Sequence, residues 1–173
     1  MDKVEIKEIT IEDIPDYVKV NIKAWQESYK GLIGDEILID VENNVENSIK
    51  RKIDKFEEDK KNGVKKFILK VNNEPVGMMS VGKSRNKKYE GKGELEALYL
   101  LDKVKKKGYG KQLFMHGVKT LIDMGFNEMI IGCLINNPAN DFYKHMGGKL
   151  IDVVTNKVKG YDMEENIYYY EIK

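Results

Sequence analysis

Between Glu94 and Gly148 the apolar pattern changes from that of a strand to that of a helix across a basic, glycine-containing loop. Glu94-Leu95-Glu96-Ala97-Leu98-Tyr99-Leu100-Leu101 alternates as a strand does. Asp102-Lys103-Val104 then leads into Lys105-Lys106-Lys107-Gly108-Tyr109-Gly110-Lys111. Beyond it, Phe114, Val118, Leu121 and Ile122 fall on one helical face, and Gly125 follows as a stop signal. A strand that turns through glycines into a helix aims backbone N–H groups at an anion. The first helical amides lack partners inside the helix, and the dipole favours negative charge beside them. Three consecutive lysines place cations where phosphates would lie. This stretch therefore predicts a diphosphate cradle.

Two other phosphate loops are excluded by their missing residues. Leu113 stands where the dinucleotide fingerprint Gly-x-Gly-x-x-Gly needs its third glycine, and no acidic residue follows at the required distance. No Gly-Lys-Ser/Thr tripeptide occurs, so the nucleoside-triphosphate loop is absent. Lys105-x-x-Gly108-x-Gly110 after an acidic strand resembles instead the Arg/Gln-x-x-Gly-x-Gly/Ala loop of the GNAT superfamily of acyl-CoA-dependent N-acyltransferases. A second block, Asn136-x-x-Ala139-x-x-Phe142-Tyr143-x-x-x-Gly147-Gly148, resembles that family's Asn-x-x-Ala-x-x-Phe-Tyr-x-x-x-Gly-Phe segment. Lys105 and Gly148 depart from the pattern, which has Arg or Gln and Phe there. A lysine lacks the guanidinium fork that grips a phosphate through two bonds.

The resemblance implies an N-acetyltransferase that moves an acetyl group from acetyl-CoA to a primary amine of a small molecule or peptide, by direct attack in a ternary complex. It also implies an α+β fold with a mixed, mostly antiparallel sheet of about seven strands, splayed between the fourth and fifth and flanked by about four helices. Lys105, Lys106, Lys107, Gly108, Tyr109, Gly110 and Lys111 would hold the coenzyme's phosphates. Leu98, Tyr99 and Leu100 would present backbone groups to the thioester and pantetheine arm, with Asn136 near that arm. Tyr143 matches the tyrosine that protonates the leaving sulfur, and a phenol with a reference pKa near 10 is a competent acid at neutral pH. Glu94 matches a strand carboxylate that acts as base in some members.

The remaining residues bound this reading. A chain of 173 residues predicts one domain, 1–173, large enough for a real core. Its 41% hydrophobic and 34% charged content is ordinary for a globular protein. A net charge of +1, with Arg51 and Arg85 the only arginines, argues against a nucleic-acid binder built on the lysine patches at 83–92 and 103–111. A lone cysteine, Cys133, permits no internal disulfide. No apolar run approaches the roughly 18 residues of a membrane span, and no signal-peptide pattern opens the chain, so a cytoplasmic protein is expected. His116 and His145 lack metal-ligand company, and no metal is predicted.

Taken in order, Val4 to Ile9 predicts a strand, and Thr10 with Asp13 a capping box. The helix that follows would bury Ile14, Val18, Ile22, Trp25 and Tyr29. Gly31 to Gly34 breaks the pattern, and a second helix from about Asn44 would carry Val45, Ile49, Ile53 and Phe56 on one stripe. Phe67 to Val71 and Val76 to Val81 predict a hairpin around Asn72-Asn73, and Ser84 to Lys92 a loop. Met129 to Ile135 reads as a strand covered on both faces, and Pro138 as the start of a short helix. Leu150 to Val154 and Ile167 to Ile172 predict a final pair around Lys159-Gly160.

Simple alternation puts Glu94, Glu96, Leu98 and Leu100 on one face. Two carboxylates together could take a proton from an ammonium if burial or mutual repulsion raises one pKa, which makes Glu96 a second candidate base. Either could instead pair with lysines from the Ser84–Lys92 loop. Trp25 and Tyr29 are candidate acceptor contacts, since the first helical region lines the acceptor cleft in the family resembled. Self-association through Tyr168, Tyr169 and Tyr170 is a further expectation. The rival readings are a catalytically idle acyl-CoA sensor and a lysine-rich nucleic-acid-binding protein.

Overall fold

The computed structural model describes residues 1–173. Strand β1 (Val4–Glu8) runs into a 3-10 turn at Ile11–Asp13, where the Asp13 carboxylate accepts the Thr10 amide at 2.8 Å. That closes the capping box read from the sequence and launches α1 (Ile14–Tyr29), with Pro15 in its first turn, where no helical N–H is lost. All five apolar residues assigned to the inner stripe of α1 are buried. Residues 35–61 form three short helices, α2 (Asp35–Asn43), α3 (Val45–Asp54) and α4 (Phe56–Lys61). The sequence predicted one helix here. Val45, Ile49 and Phe56 pack on the core as expected, whereas Ile53, in the last turn of α3, is exposed.

Strands β2 (Lys65–Val71) and β3 (Glu74–Lys83) make the predicted hairpin. Asn72 and Asn73 both adopt positive φ, the conformation a two-residue hairpin turn requires and asparagine tolerates. β4 (Gly93–Leu100), α5 (Tyr109–Asp123), β5 (Glu128–Leu134), α6 (Ala139–His145), β6 (Lys149–Val158) and β7 (Tyr161–Glu171) complete the chain. One seven-stranded sheet runs β1-β2-β3-β4-β5-β7-β6, with every neighbouring pair antiparallel except β4–β5. Six helices flank it, two more than expected. The edges of the sheet are β1 and β6; β7 is paired on both sides, and Tyr168 and Tyr170 are buried within the chain. Those two tyrosines pack inside the chain, while Tyr169 is half-buried with its hydroxyl donating to Glu128.

Two features of β4 position the site. Its parallel pairing with β5 covers only Gly93↔Met129, Glu94↔Ile130 and Leu95↔Ile131, after which the strands part. Its pairing with β3 skips a residue: Val81 opposes Leu95 and Ser80 opposes Ala97, leaving Glu96 as the extra residue of a bulge. Paired residues share a face, so the bulge reverses the parity beyond Glu96. Leu98 and Leu100 lie opposite Met79 and Gly77, on the face where α5 packs; a Cβ at Gly117 of α5 would come within 2.8 Å of the Met79 sulfur. Tyr99 lies opposite Met78 on the α1 face, where its hydroxyl meets that of Tyr29 at 3.1 Å. The strict alternation assumed from sequence fails here: Leu98 and Leu100 do not share a face with Glu94 and Glu96. A bulge is set by the neighbouring strand, and a single strand's pattern carries no record of it.

Candidate active site

The gap between β4 and β5 is a cavity of about 720 Å³. Its walls include β4 from Glu94 to Tyr99, β5 from Ile130 to Leu134, Trp25 and Tyr29 of α1, and Tyr143 of α6. It thus brings together Glu94, Glu96, Leu98, Tyr99, Trp25, Tyr29 and Tyr143. Leu100 and the glycine loop lie outside its lining, yet an added Cβ on Gly110 would touch Leu100 at 3.5 Å and Phe142 at 3.7 Å. Phe142 is the neighbour of Tyr143, so the loop and the cavity meet at the start of α5.

In the loop, Lys106 and Gly108 take left-handed φ values of 62° and 87°. The first main-chain bond of α5 runs from the Gln112 amide to the Gly108 carbonyl, which leaves the amides at the helix start pointing outward unpaired. Lys105, Lys106, Lys107, Gly108 and Lys111 are exposed beside them. Lys105 also bonds Asp102 at 2.7 Å, so its charge is shared. Tyr109 turns its ring away, buried with its hydroxyl donating to Asp2 at 2.8 Å; only its backbone can face a ligand.

Tyr143 is held from several sides. Its carbonyl accepts the Tyr170 hydroxyl at 2.7 Å and the Gly148 amide at 3.0 Å. Its ring packs against Phe142 and Tyr168. α6 itself is docked by buried Asn140, which donates to the carbonyls of Leu134 (2.9 Å) and Asn137 (2.7 Å) and accepts from Tyr168 and Asn166. These leave the Tyr143 side chain facing the cavity, and burial, with Cys133 and Tyr29 nearby, holds its pKa well above the ordinary phenol value. The departure at Gly148 has a physical reason: a Cβ there would meet the Tyr170 hydroxyl at 2.6 Å and the Tyr143 carbonyl at 2.8 Å. Tyr170 fills the volume a phenylalanine at 148 would need.

The two carboxylates of β4 differ in their partners. Arg85, from the loop before β4, grips Glu94 with its backbone amide (3.0 Å), Nε (3.2 Å) and Nη2 (2.8 Å). Glu96 accepts only the Ser80 hydroxyl at 2.8 Å, with Arg85 Nε 3.8 Å away. Burial raises the Glu96 pKa against the opposing pull of Arg85 and Ser80. Cys133, also in the wall, has its thiol pushed up to about 12 by burial, which keeps it protonated and unreactive.

Tyr29 accepts from Asn137 Nδ2 at 2.8 Å, and burial raises its pKa to about 12. Trp25 packs against Tyr29 with ring centroids 4.6 Å apart and planes tilted by 58°, and the Lys159 ammonium stands 5.4 Å from the Trp25 ring. Asn136 is exposed and outside the cavity wall, whereas its neighbour Asn137 lines it. Sequence reasoning missed Asn137, Arg85 and Lys159. Arg85 had a signal: it is one of only two arginines in the whole chain and sits in a basic loop just before Glu94 and Glu96.

Residues 25–147 match the sequence model of the Acetyltransferase (GNAT) family. The uncharacterized N-acetyltransferase YuaI of Bacillus subtilis (strain 168) is 30% identical over 144 residues, which cover 82% of this chain and 78% of that one. The structure superposes on the PaiA N-acetyltransferase of Thermoplasma acidophilum, solved in complex with coenzyme A, with a TM-score of 0.74 at 18% identity, covering 98% of this chain and 99% of that one. YncA of Salmonella typhimurium, solved with its cofactor acetyl-CoA, gives a TM-score of 0.71 at 15% identity over 98% of this chain and 94% of that one. At those identities the likeness is one of fold.

Proposed function

The chain belongs to the GNAT acetyltransferase family, and from that premise we propose that residues 1–173 act as one N-acetyltransferase unit whose site is the β4–β5 gap. Acetyl-CoA is the co-substrate. Its diphosphate would lie on the amides at the start of α5, and its acetyl-pantetheine arm in the opening between the strands. The single observation that carries this reading is the convergence of Tyr143, the parted strands and Glu96 on one cavity, with unpaired amides at its border.

The residues divide the chemistry as follows. Glu96, desolvated and held by one hydroxyl, takes the proton that the acceptor ammonium must lose, directly or through a water. Glu94, tied by three bonds to Arg85, positions Arg85 beside Glu96 and is the poorer base. The amine then attacks the thioester carbon, the C–N bond forms, and the C–S bond breaks. Tyr143 gives its proton to the departing sulfur and regains one from the acylated nitrogen, which must shed a proton to become the neutral amide; its raised pKa keeps the phenol proton in place until the thiolate appears. The β4 backbone around Ala97 to Tyr99 polarises the carbonyl with fixed dipoles. Holding both substrates in attack geometry supplies up to about 7–11 kcal/mol.

The acceptor is a primary amine of a small molecule or peptide, bounded by Trp25 and Tyr29. No helix is long and apolar enough to cross a membrane. A cytoplasmic location is part of this proposal, and the lone, buried Cys133 thiol suits a reducing compartment. The lysine patches weigh against a nucleic-acid reading, since Lys88, Lys92, Lys103 and Lys105 each pair with a carboxylate of this chain. Thiol release from acetyl-CoA against a panel of amines tests the assignment. Acetyl-CoA binding without release for any amine would leave the idle sensor as the better description.

A further inference from the structure

A second cavity, of about 280 Å³, adjoins the first and shares Asn21 and Lys159 with it. Its wall carries Arg51, Lys52, Lys55 and Lys159. The one carboxylate there, Asp59, is occupied by Lys66 at 2.8 Å. None of the four cations pairs with a carboxylate; Arg51 reaches only the Ser48 hydroxyl, at 3.3 Å. In a chain with a net charge of +1 and ten ion pairs, none of which uses these residues, four unpaired cations around one concavity are a local imbalance that invites an anion.

The sequence holds this arrangement at some cost. Lys159 sits in the β6–β7 turn with φ at +53°, beside Gly160 at +85°. Such a turn favours asparagine, aspartate or glycine at its first position. A lysine there instead swings an ammonium over Trp25, at the junction of the two cavities. Burial first, then Lys52 and Arg51, lower the Lys159 pKa to about 8. Lys52, lying over the Tyr17 ring, is likewise lowered by burial and by Lys66. At the same junction the buried Asn21 Oδ1 has no hydrogen-bond partner.

We propose that the acceptor carries an anionic group, carboxylate or phosphate, close to the amine that is acetylated, and that Arg51, Lys52, Lys55 and Lys159 bind it while the amine lies in the main cavity near Glu96. This deepens the acetyltransferase reading and rests on it. A zwitterion would meet both linings at once, its ammonium end towards Glu96 and its anionic end towards the four cations. A polyamine would bring only like charge to the four cations.

The test compares matched acceptors at saturating acetyl-CoA: L-phenylalanine against L-phenylalaninamide, and O-phosphoethanolamine against ethanolamine. At least one anionic member should exceed its neutral partner in kcat/KM by roughly 10- to 100-fold, the range of a charge-assisted hydrogen bond. Which pair shows the gap tells carboxylate from phosphate. In the double variant Lys52→Gln/Lys159→Gln that preference should fall towards unity. Neutral members used as well as anionic ones, or a preference unchanged in the variant, would overturn the proposal. If no amine is acetylated, the enzyme reading fails, and the cavity is judged by binding. Inorganic phosphate titrated with coenzyme A saturating should raise the Tm of the native protein above an equal-ionic-strength chloride control, and should not raise that of the double variant. Equal phosphate response in both would refute the anion site by itself.

Discussion

Glu96 and Tyr143 stand on opposite sides of the proton ledger, and each makes a different prediction. Tyr143→Phe removes one hydroxyl from a ring held by Phe142, Tyr168 and the Tyr170 bond to its carbonyl, so the fold should be unchanged. Turnover should fall roughly 100-fold or more, the size of a lost general acid, while the Kd for acetyl-CoA moves little. Stopped-flow turnover beside calorimetric binding separates the two; equal kcat would remove the residue from the mechanism. For Glu96 the sign of the pH effect follows from burial. Its folded pKa is raised, so between the ordinary carboxylate value and that raised value the folded state holds a proton that the unfolded chain releases. Stability from this group is thus complete at low pH and lost as pH rises through the folded pKa. Glu96→Gln keeps an oxygen for the Ser80 hydroxyl and cannot ionise. It should melt above the native protein at pH 8, with the difference closing towards pH 4, while kcat drops roughly 100-fold or more. A variant that melts lower at pH 8 would contradict the assignment of Glu96 as the desolvated base.

At the scale of elements, the two loop glycines do different work. Gly108 adopts φ +87°, with nothing within 4 Å of an added Cβ, so its constraint is conformational. Gly108→Ala should cost roughly 1–2 kcal/mol for the left-handed backbone and weaken coenzyme A binding as the cradle distorts. Gly110 has ordinary φ, and its Cβ would make only van der Waals contacts, so Gly110→Ala should fold at least as well and still bind. Chemical denaturation with a coenzyme titration distinguishes them; identical behaviour would mean that the left-handed turn is not what shapes the cradle. The elements that could be read from sequence are those whose signal is local. The Thr10–Asp13 box, the buried stripe of α1, the Asn72-Asn73 turn and the Gly108 loop each announce themselves within a few residues. α2 went unread because Asp35–Asn43 buries only Leu38 and Val41, too short a stripe to show a period. The Glu96 bulge depends on β3, and the choice of Glu96 over Glu94 depends on where Arg85 points; neither is written in the neighbouring residues.

Across the whole molecule, the sheet is continuous on paper and divided in fact. β1 to β4 form one half and β5 to β7 the other, joined by three register pairs at one end of the parallel contact. Beyond Leu95 and Ile131 the facing edges of β4 and β5 offer backbone polar groups to the cavity rather than to each other. A pantetheine arm laid along that gap would act as a partial strand, taking up groups that open-edge pairing would otherwise expose. Coenzyme binding should therefore tighten the molecule where it is split. At 100 times its Kd, a ligand that binds only the folded state adds about 2.7 kcal/mol. For a chain of this length that corresponds to a Tm rise of about 5–10 °C. Hydrogen exchange should slow at residues 96–99 and 131–134 on adding acetyl-CoA, and at the start of α5. The β1–β2 edge, remote from the gap, should gain no more than the global increase in stability. Protection spread evenly over all seven strands, with no excess at the β4–β5 gap, would show that the coenzyme lies elsewhere.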